Sequence, residues 1–162
     1  MANKNKTKGK NFERQICDIF AKIYNVNFQR VPNSGAYTGG MNVKRYEGLT
    51  PEQKLLADGD IIVPSFLSHL SIECKSYKDF PFHSLYSQQS RQLDEWIKQA
   101  SSTKKSKWLL FFKINNKGIY VVYDYNQFPG AIRNNHTVYN NYIIEAAEEF
   151  VNKNKEEILK NG

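Results

Sequence analysis

Apolar and polar positions follow two rhythms along this chain, and each rhythm marks an element. In "KNFERQICDIFAKIYN", Phe12, Ile16, Ile19, Phe20 and Ile23 recur at helical spacing. This predicts an amphipathic helix of about four turns that begins near Gly9 and ends around Asn25. "VNFQRV" at 26–31 alternates as a strand and is closed by Pro32. Residues 33–57 are glycine-rich and then polar, a long excursion of the kind that is usually functional or mobile. Within it "TPEQKLLA" predicts a short helix, with Thr50 as N-cap and Pro51 at the first helical position.

"GDIIVPSF" and "LSIECKSY" read as neighbouring strands joined by a hairpin-length connection. "SLYSQQSRQLDEWIKQASS" places Leu85, Gln89, Leu93, Trp96, Ile97 and Ala100 along one side, which predicts a second helix. "KWLLFFKI" and "GIYVVYDY" flank Asn115, Asn116, Lys117 and Gly118, a strand–turn–strand signal. From about 143, "IIEAAEEFVNKNKEEILKNG" predicts a terminal amphipathic helix ended by Gly162. The order is helix, strand, hairpin-like strands, helix, strand, strand, helix. It implies an α/β fold with a central mixed sheet and helices beside it.

At 162 residues the chain fits one domain with a real core. Residues 1–8, with Lys4, Lys6 and Lys8, read as a flexible basic arm ahead of a single domain over 9–162. The net charge of +7 favours an anionic partner, nucleic acid first, through phosphate contacts that release counterions. Lys8, Lys10, Lys104 and Lys105 are the candidate phosphate contacts. The "TKKSKW" cluster reads equally well as a solvated corner. Cys17 and Cys74 lack a CxxC spacing, so buried reduced thiols are expected, as in the cytoplasm. "WLLFF" is too short to span a bilayer, and the basic N-terminus has no apolar run behind it. His69, His83 and His136 are scattered, and no Walker-type loop occurs.

The chemistry centres on "IECKSY". Glu73 and Lys75 stand at i and i+2 on a strand, so their head groups point the same way. Asp60 precedes the apolar run "IIV" and reaches Glu73 if the two strands pair. Two carboxylates converging beside a lysine form a hard-oxygen site suited to Mg²⁺, with Mn²⁺ as a substitute. The backbone carbonyl of Cys74 is a further candidate ligand. Such an ion activates water and grips a phosphate oxygen, while Lys75 stabilises added negative charge. A solvated strand face with a weak ion pair explains Glu73 and Lys75 as well, and Asp58 rivals Asp60.

"GKNFERQICDIF", "FQRVPNSG", "DGDIIV" and "IECKSY" succeed one another as in the PD-(D/E)xK nuclease superfamily. More narrowly, residues 9–113 or so resemble the archaeal-type Holliday junction resolvases and their phage relatives. The resemblance implies a restriction-endonuclease-like core and a site of Glu13, Ser34, Asp60, Glu73 and Lys75. Glu13 becomes a candidate ligand or water-positioner, though a glutamate near a helix start is usually surface charge. Ser34 would touch the scissile phosphate and Arg30 the nearby backbone. Gln92 resembles a polar residue beside the site in many members, with Gln88, Gln89 and Gln99 as competitors. Two departures stand out: the stretch from Ser34 to Asp60 is long, and glycine replaces the proline before the aspartate. The expected activity is Mg²⁺-dependent cleavage of branched DNA, most simply by a homodimeric junction resolvase. The alternatives are a restriction-like or other structure-specific nuclease, or a non-catalytic nucleic-acid-binding module of the same fold.

Overall fold

A computed structural model describes residues 4–32, 48, 50–56 and 58–162. Its first helix, α1 (Lys4–Tyr24), starts five residues before Gly9, so residues 4–8 of the expected arm are helical. Nothing in that polar stretch breaks a helix, and the space around Gly9 is open, so the helix runs through it. The buried stripe is Phe12, Ile16, Cys17 and Phe20, with Glu13 buried beside it, while Ile19 and Ile23 of the expected stripe are partly buried against the same core.

Five strands form the main sheet: β3 (Leu70–Tyr77), β4 (Lys107–Ile114), β5 (Gly118–Asp124), β6 (Thr137–Tyr139) and β7 (Tyr142–Ala146). Their spatial order is β3-β4-β5-β7-β6, which leaves β3 and β6 at the edges. β3 and β4 run parallel, and the other pairs are antiparallel. A parallel pair needs a crossover, and the helix Arg91–Ser101 supplies it. The Ser90 hydroxyl caps that helix by accepting the Leu93 N–H, so the predicted helix over 84–102 starts late. Phe82–Leu85 forms a separate 3₁₀ turn.

β4 is covered on both faces, which explains its unbroken apolar run. Leu109 and Phe111 pack with α1 and the C-terminal helices, while Trp108, Leu110, Phe112 and Ile114 pack with Leu93, Trp96 and Ile97. The turn into β5 forms as predicted, with Asn116 at φ 58° and Gly118 at φ 146°. This layering is the α/β core with a central mixed sheet that the order of elements implies, consistent with the restriction-endonuclease-like core that the resemblance implies.

Three expectations change. The segment from 143 opens as strand β7, paired to β5 and to the short β6. Only then do helices Ala147–Lys153 and Lys155–Leu159 follow. They are separated at Asn154, whose buried side chain bonds both the Ile132 N–H and the Ile132 carbonyl. Second, 26–31 contributes only β1 (Gln29–Arg30). Third, β2 (Ile61–Ile62) pairs antiparallel with β1 and forms no hairpin ladder with β3. The short helix Pro51–Leu56 forms where Thr50 and Pro51 place it, with the Lys54 N–H bonded to the Thr50 carbonyl. Among the described residues no helix is long and apolar enough to cross a membrane.

Candidate active site

Because β3 is an edge strand, its outer backbone edge has no strand partner, while its side chains face two helical layers. Ile72 and Cys74 pack toward α1, while Glu73 and Lys75 point toward the helix Arg91–Ser101. Both charged groups are largely buried, Glu73 at 7% exposure. The Lys75 ammonium donates to Glu73 Oε1 at 3.1 Å and to Gln99 Oε1 at 2.6 Å. Gln99 Nε2 donates to the same Glu73 oxygen at 2.5 Å. The three head groups close a triangle, so the pair is fixed in place and is not a wet surface contact.

Asp60 reaches this edge by a route other than strand pairing. Its N–H donates to the Ile72 carbonyl at 2.8 Å, and its carbonyl accepts the Val31 N–H at 2.8 Å. Its Oδ2 accepts the Cys74 N–H at 2.7 Å. The N–H and C=O of a strand residue point to the same side. The Cys74 carbonyl therefore also projects from the open edge, next to the Asp60 carboxylate. Gly59 sets this approach. It sits at φ +85°, where a Cβ would lie 2.8 Å from both the Ile72 carbonyl oxygen and Ser71 Oγ. Proline, locked near φ −65°, has no access to that conformation, so glycine is required before this aspartate.

Burial, together with the nearby Glu73 charge, pushes the Asp60 carboxyl up to about 7, despite the Cys74 N–H that favours its anion. Burial also raises Glu73, with Lys75 pulling the other way. The nearby Asp58 charge adds to the rise at Glu73. Glu13 comes from α1 on the opposite face and adds to the repulsion at both. It is itself held by Arg30 Nε at 2.7 Å.

A family model described as "Phage putative PDDEXK endonuclease" matches residues 4–160. The chain belongs to that phage PDDEXK endonuclease family. No curated protein and no solved structure matches it.

PDDEXK nucleases use divalent metal ions, and the donors here suit one. Among the described residues no group of three or more His, Cys, Asp or Glu is arranged to hold a metal. An ion at this edge would instead take Asp60, Glu73 and the Cys74 carbonyl, all oxygen donors. A Mg²⁺ ion that keeps several waters needs only one or two carboxylates. The raised carboxyls of Asp60 and Glu73 are what an added positive charge would relieve. Glu13 is then an ion-paired neighbour of the site and not part of a three-acid cage.

Several expected residues of this PDDEXK protein are redistributed. Asp58, the rival of Asp60, is taken up by the turn after the helix Arg91–Ser101: its Oδ2 accepts the Thr103 hydroxyl at 2.5 Å and the Lys104 N–H at 3.3 Å. Lys105 is partly buried. Its ammonium donates to the Leu70 carbonyl at 3.0 Å, and burial lowers its pKa. Lys107 is buried against the Phe128 ring, not on a solvated corner. Lys8, Lys10 and Lys104 are exposed. Arg30 is half-buried in its pair with Glu13. Ser34 lies outside the described residues, as does most of 33–57. The glutamine at the site is Gln99, not Gln92. Seven residues separate them, about two helical turns, so both share one face roughly 10 Å apart. The resemblance offered Gln92, with Gln99 among its competitors, and it is Gln99 that meets Lys75 and Glu73.

Proposed function

We propose that this protein hydrolyses phosphodiester bonds in DNA with a divalent ion, Mg²⁺ or Mn²⁺, held by Asp60, Glu73 and the Cys74 carbonyl. The observation that carries the reading is the buried Asp60–Glu73 pair meeting beside Lys75 on an open strand edge. When bound, the ion supplies positive charge that activates water and neutralises the phosphate. Lys75 has three N–H donors. Two are engaged by Glu73 and Gln99, and the third is directed to the phosphate oxygens as negative charge develops in the transition state. Gln99 keeps the ammonium and the carboxylate in register. The Glu13–Arg30 pair stiffens the α1 side of the cleft, and Ser34 and the exposed Lys8, Lys10 and Lys104 bear on the DNA backbone.

The preferred substrate in this reading is branched DNA, a four-way junction cut by a homodimer as a Holliday junction resolvase. Its support is the succession of Glu13, Asp60 and the Glu73-Cys74-Lys75 strand, together with the two symmetric cuts that a two-fold dimer supplies. The test compares four-way, flap and linear duplex DNA with Mg²⁺ or EDTA. Junction cleavage that EDTA stops is the expected result. Preferential cutting of linear duplex would instead make the protein a restriction-like nuclease. Binding without cleavage in Mg²⁺ and Mn²⁺ would leave a recognition module. Glu73→Ala and Lys75→Ala should keep junction binding and lose cleavage, and unfolding of both by circular dichroism would give those residues a structural role. One chain per junction by analytical ultracentrifugation would refute the dimer.

A further inference from the structure

Beyond Lys75 the same face of β3 carries one more side chain, Tyr77, and it serves no purpose assigned so far. Tyrosine at the end of a covered strand normally buries its ring, yet Tyr77 is 44% exposed. It is nevertheless held in place. Its ring centroid lies 4.9 Å from that of Trp96, which packs in turn against Phe80 and Phe112 at 5.6 and 5.5 Å. The Asn115 N–H bonds its backbone carbonyl at 3.1 Å. Trp96 and Gln99 are three residues apart on one helix, so that helix braces Tyr77 and Lys75 side by side.

We propose that Tyr77 is a stacking platform for an unpaired DNA base next to the scissile phosphate; this rests on the nuclease reading of the site. Two residues along a strand cover about 6.7 Å, close to two base steps of a stacked DNA strand at about 3.4 Å each. A strand with its phosphate at Lys75 therefore brings a neighbouring base to the tyrosine ring. A ring braced on one side and open on the other loses little freedom when a base covers it. Every base has a π-face, so such a platform favours unpaired over paired DNA without reading sequence. In linear duplex the bases are already stacked and paired, and Tyr77 gains nothing from them. The exposed Lys78 beside it puts a cation within reach of a phosphate of the same strand.

The experiment places 2-aminopurine at successive positions around the cleavage site of a branched substrate, bound with Ca²⁺ in place of Mg²⁺. Native protein should quench it at one position, within about two nucleotides of the scissile phosphate. Tyr77→Ala should abolish that quench and weaken binding of branched DNA on the order of 10- to 100-fold, with duplex binding little changed. Tyr77→Phe should retain both. The native fluorescence scan needs no variant, so a misfolded Tyr77→Ala does not remove the test. No quench at any position in a saturated native complex overturns the platform, as does an undiminished quench in folded Tyr77→Ala. In either case metal-dependent cleavage would survive. A native protein that neither binds nor cuts any DNA overturns the nuclease reading and the platform with it.

Discussion

Asp60→Asn separates the charge of this residue from its shape. The amide keeps the size of the side chain and an oxygen to accept the Cys74 N–H, and removes only the negative charge. In the unfolded chain Asp60 titrates near its ordinary 3.8, and in the folded protein near 7. The folded state thus holds a proton that the unfolded state has lost, and folding is penalised as pH rises between those values. The penalty is absent below about pH 4, grows toward neutrality and is constant above it. A rise of about three pH units, at ~1.36 kcal/mol each, gives an upper bound near 4 kcal/mol. Glu73 shares the repulsion, so about 2–4 kcal/mol is the working range. In EDTA at pH 8, Asp60→Asn should therefore melt roughly 5–10 °C above the native protein, and with Mg²⁺ present it should cut nothing. Near pH 4 the two should melt together. Added Mg²⁺ should raise the native melting temperature and leave the variant nearly unmoved. If folded Asp60→Asn melts at or below the native protein at pH 8 in EDTA, burial and the Glu73 charge do not penalise the Asp60 carboxylate.

Two further substitutions probe the supports of the site. Gly59→Ala puts a Cβ against the Ile72 carbonyl at a positive φ. It should cost about 1–3 kcal/mol of stability by urea unfolding, and an unchanged midpoint would refute the constraint. Gln99→Ala should lower kcat about 10- to 100-fold with DNA affinity maintained, because Lys75 and Glu73 lose their shared partner. Gln92→Ala should match the native enzyme, and equal losses in both would remove Gln99 from its positioning role.

How far the sequence revealed this site depends on the range of each interaction. Glu73 and Lys75 were legible because a period of two is local and puts them on one face. Asp60 was legible from the apolar run it opens, but its route to Glu73 was not. A hairpin ladder was expected, whereas one backbone bond and one side-chain bond join it to β3. The Glu13–Arg30 pair joins residues seventeen apart on different elements, beyond any local pattern. β7 was hidden because Ile143, Ile144 and Ala147 fit a helical stripe as well as a strand that runs into a helix. β6, three residues long, gives almost no periodic signal.

The open margin of β3 also limits how copies of this chain can associate. A second strand added there would compete with Asp60 for the Ile72 carbonyl and the Cys74 N–H, and would cover the Cys74 oxygen. Any symmetric assembly that keeps two working catalytic centres is therefore barred from continuing the sheet through β3. Among the described residues, β6 at the far margin and the helical faces remain for it. A surface that remains reachable for chemistry is, by the same bonds, protected from self-association.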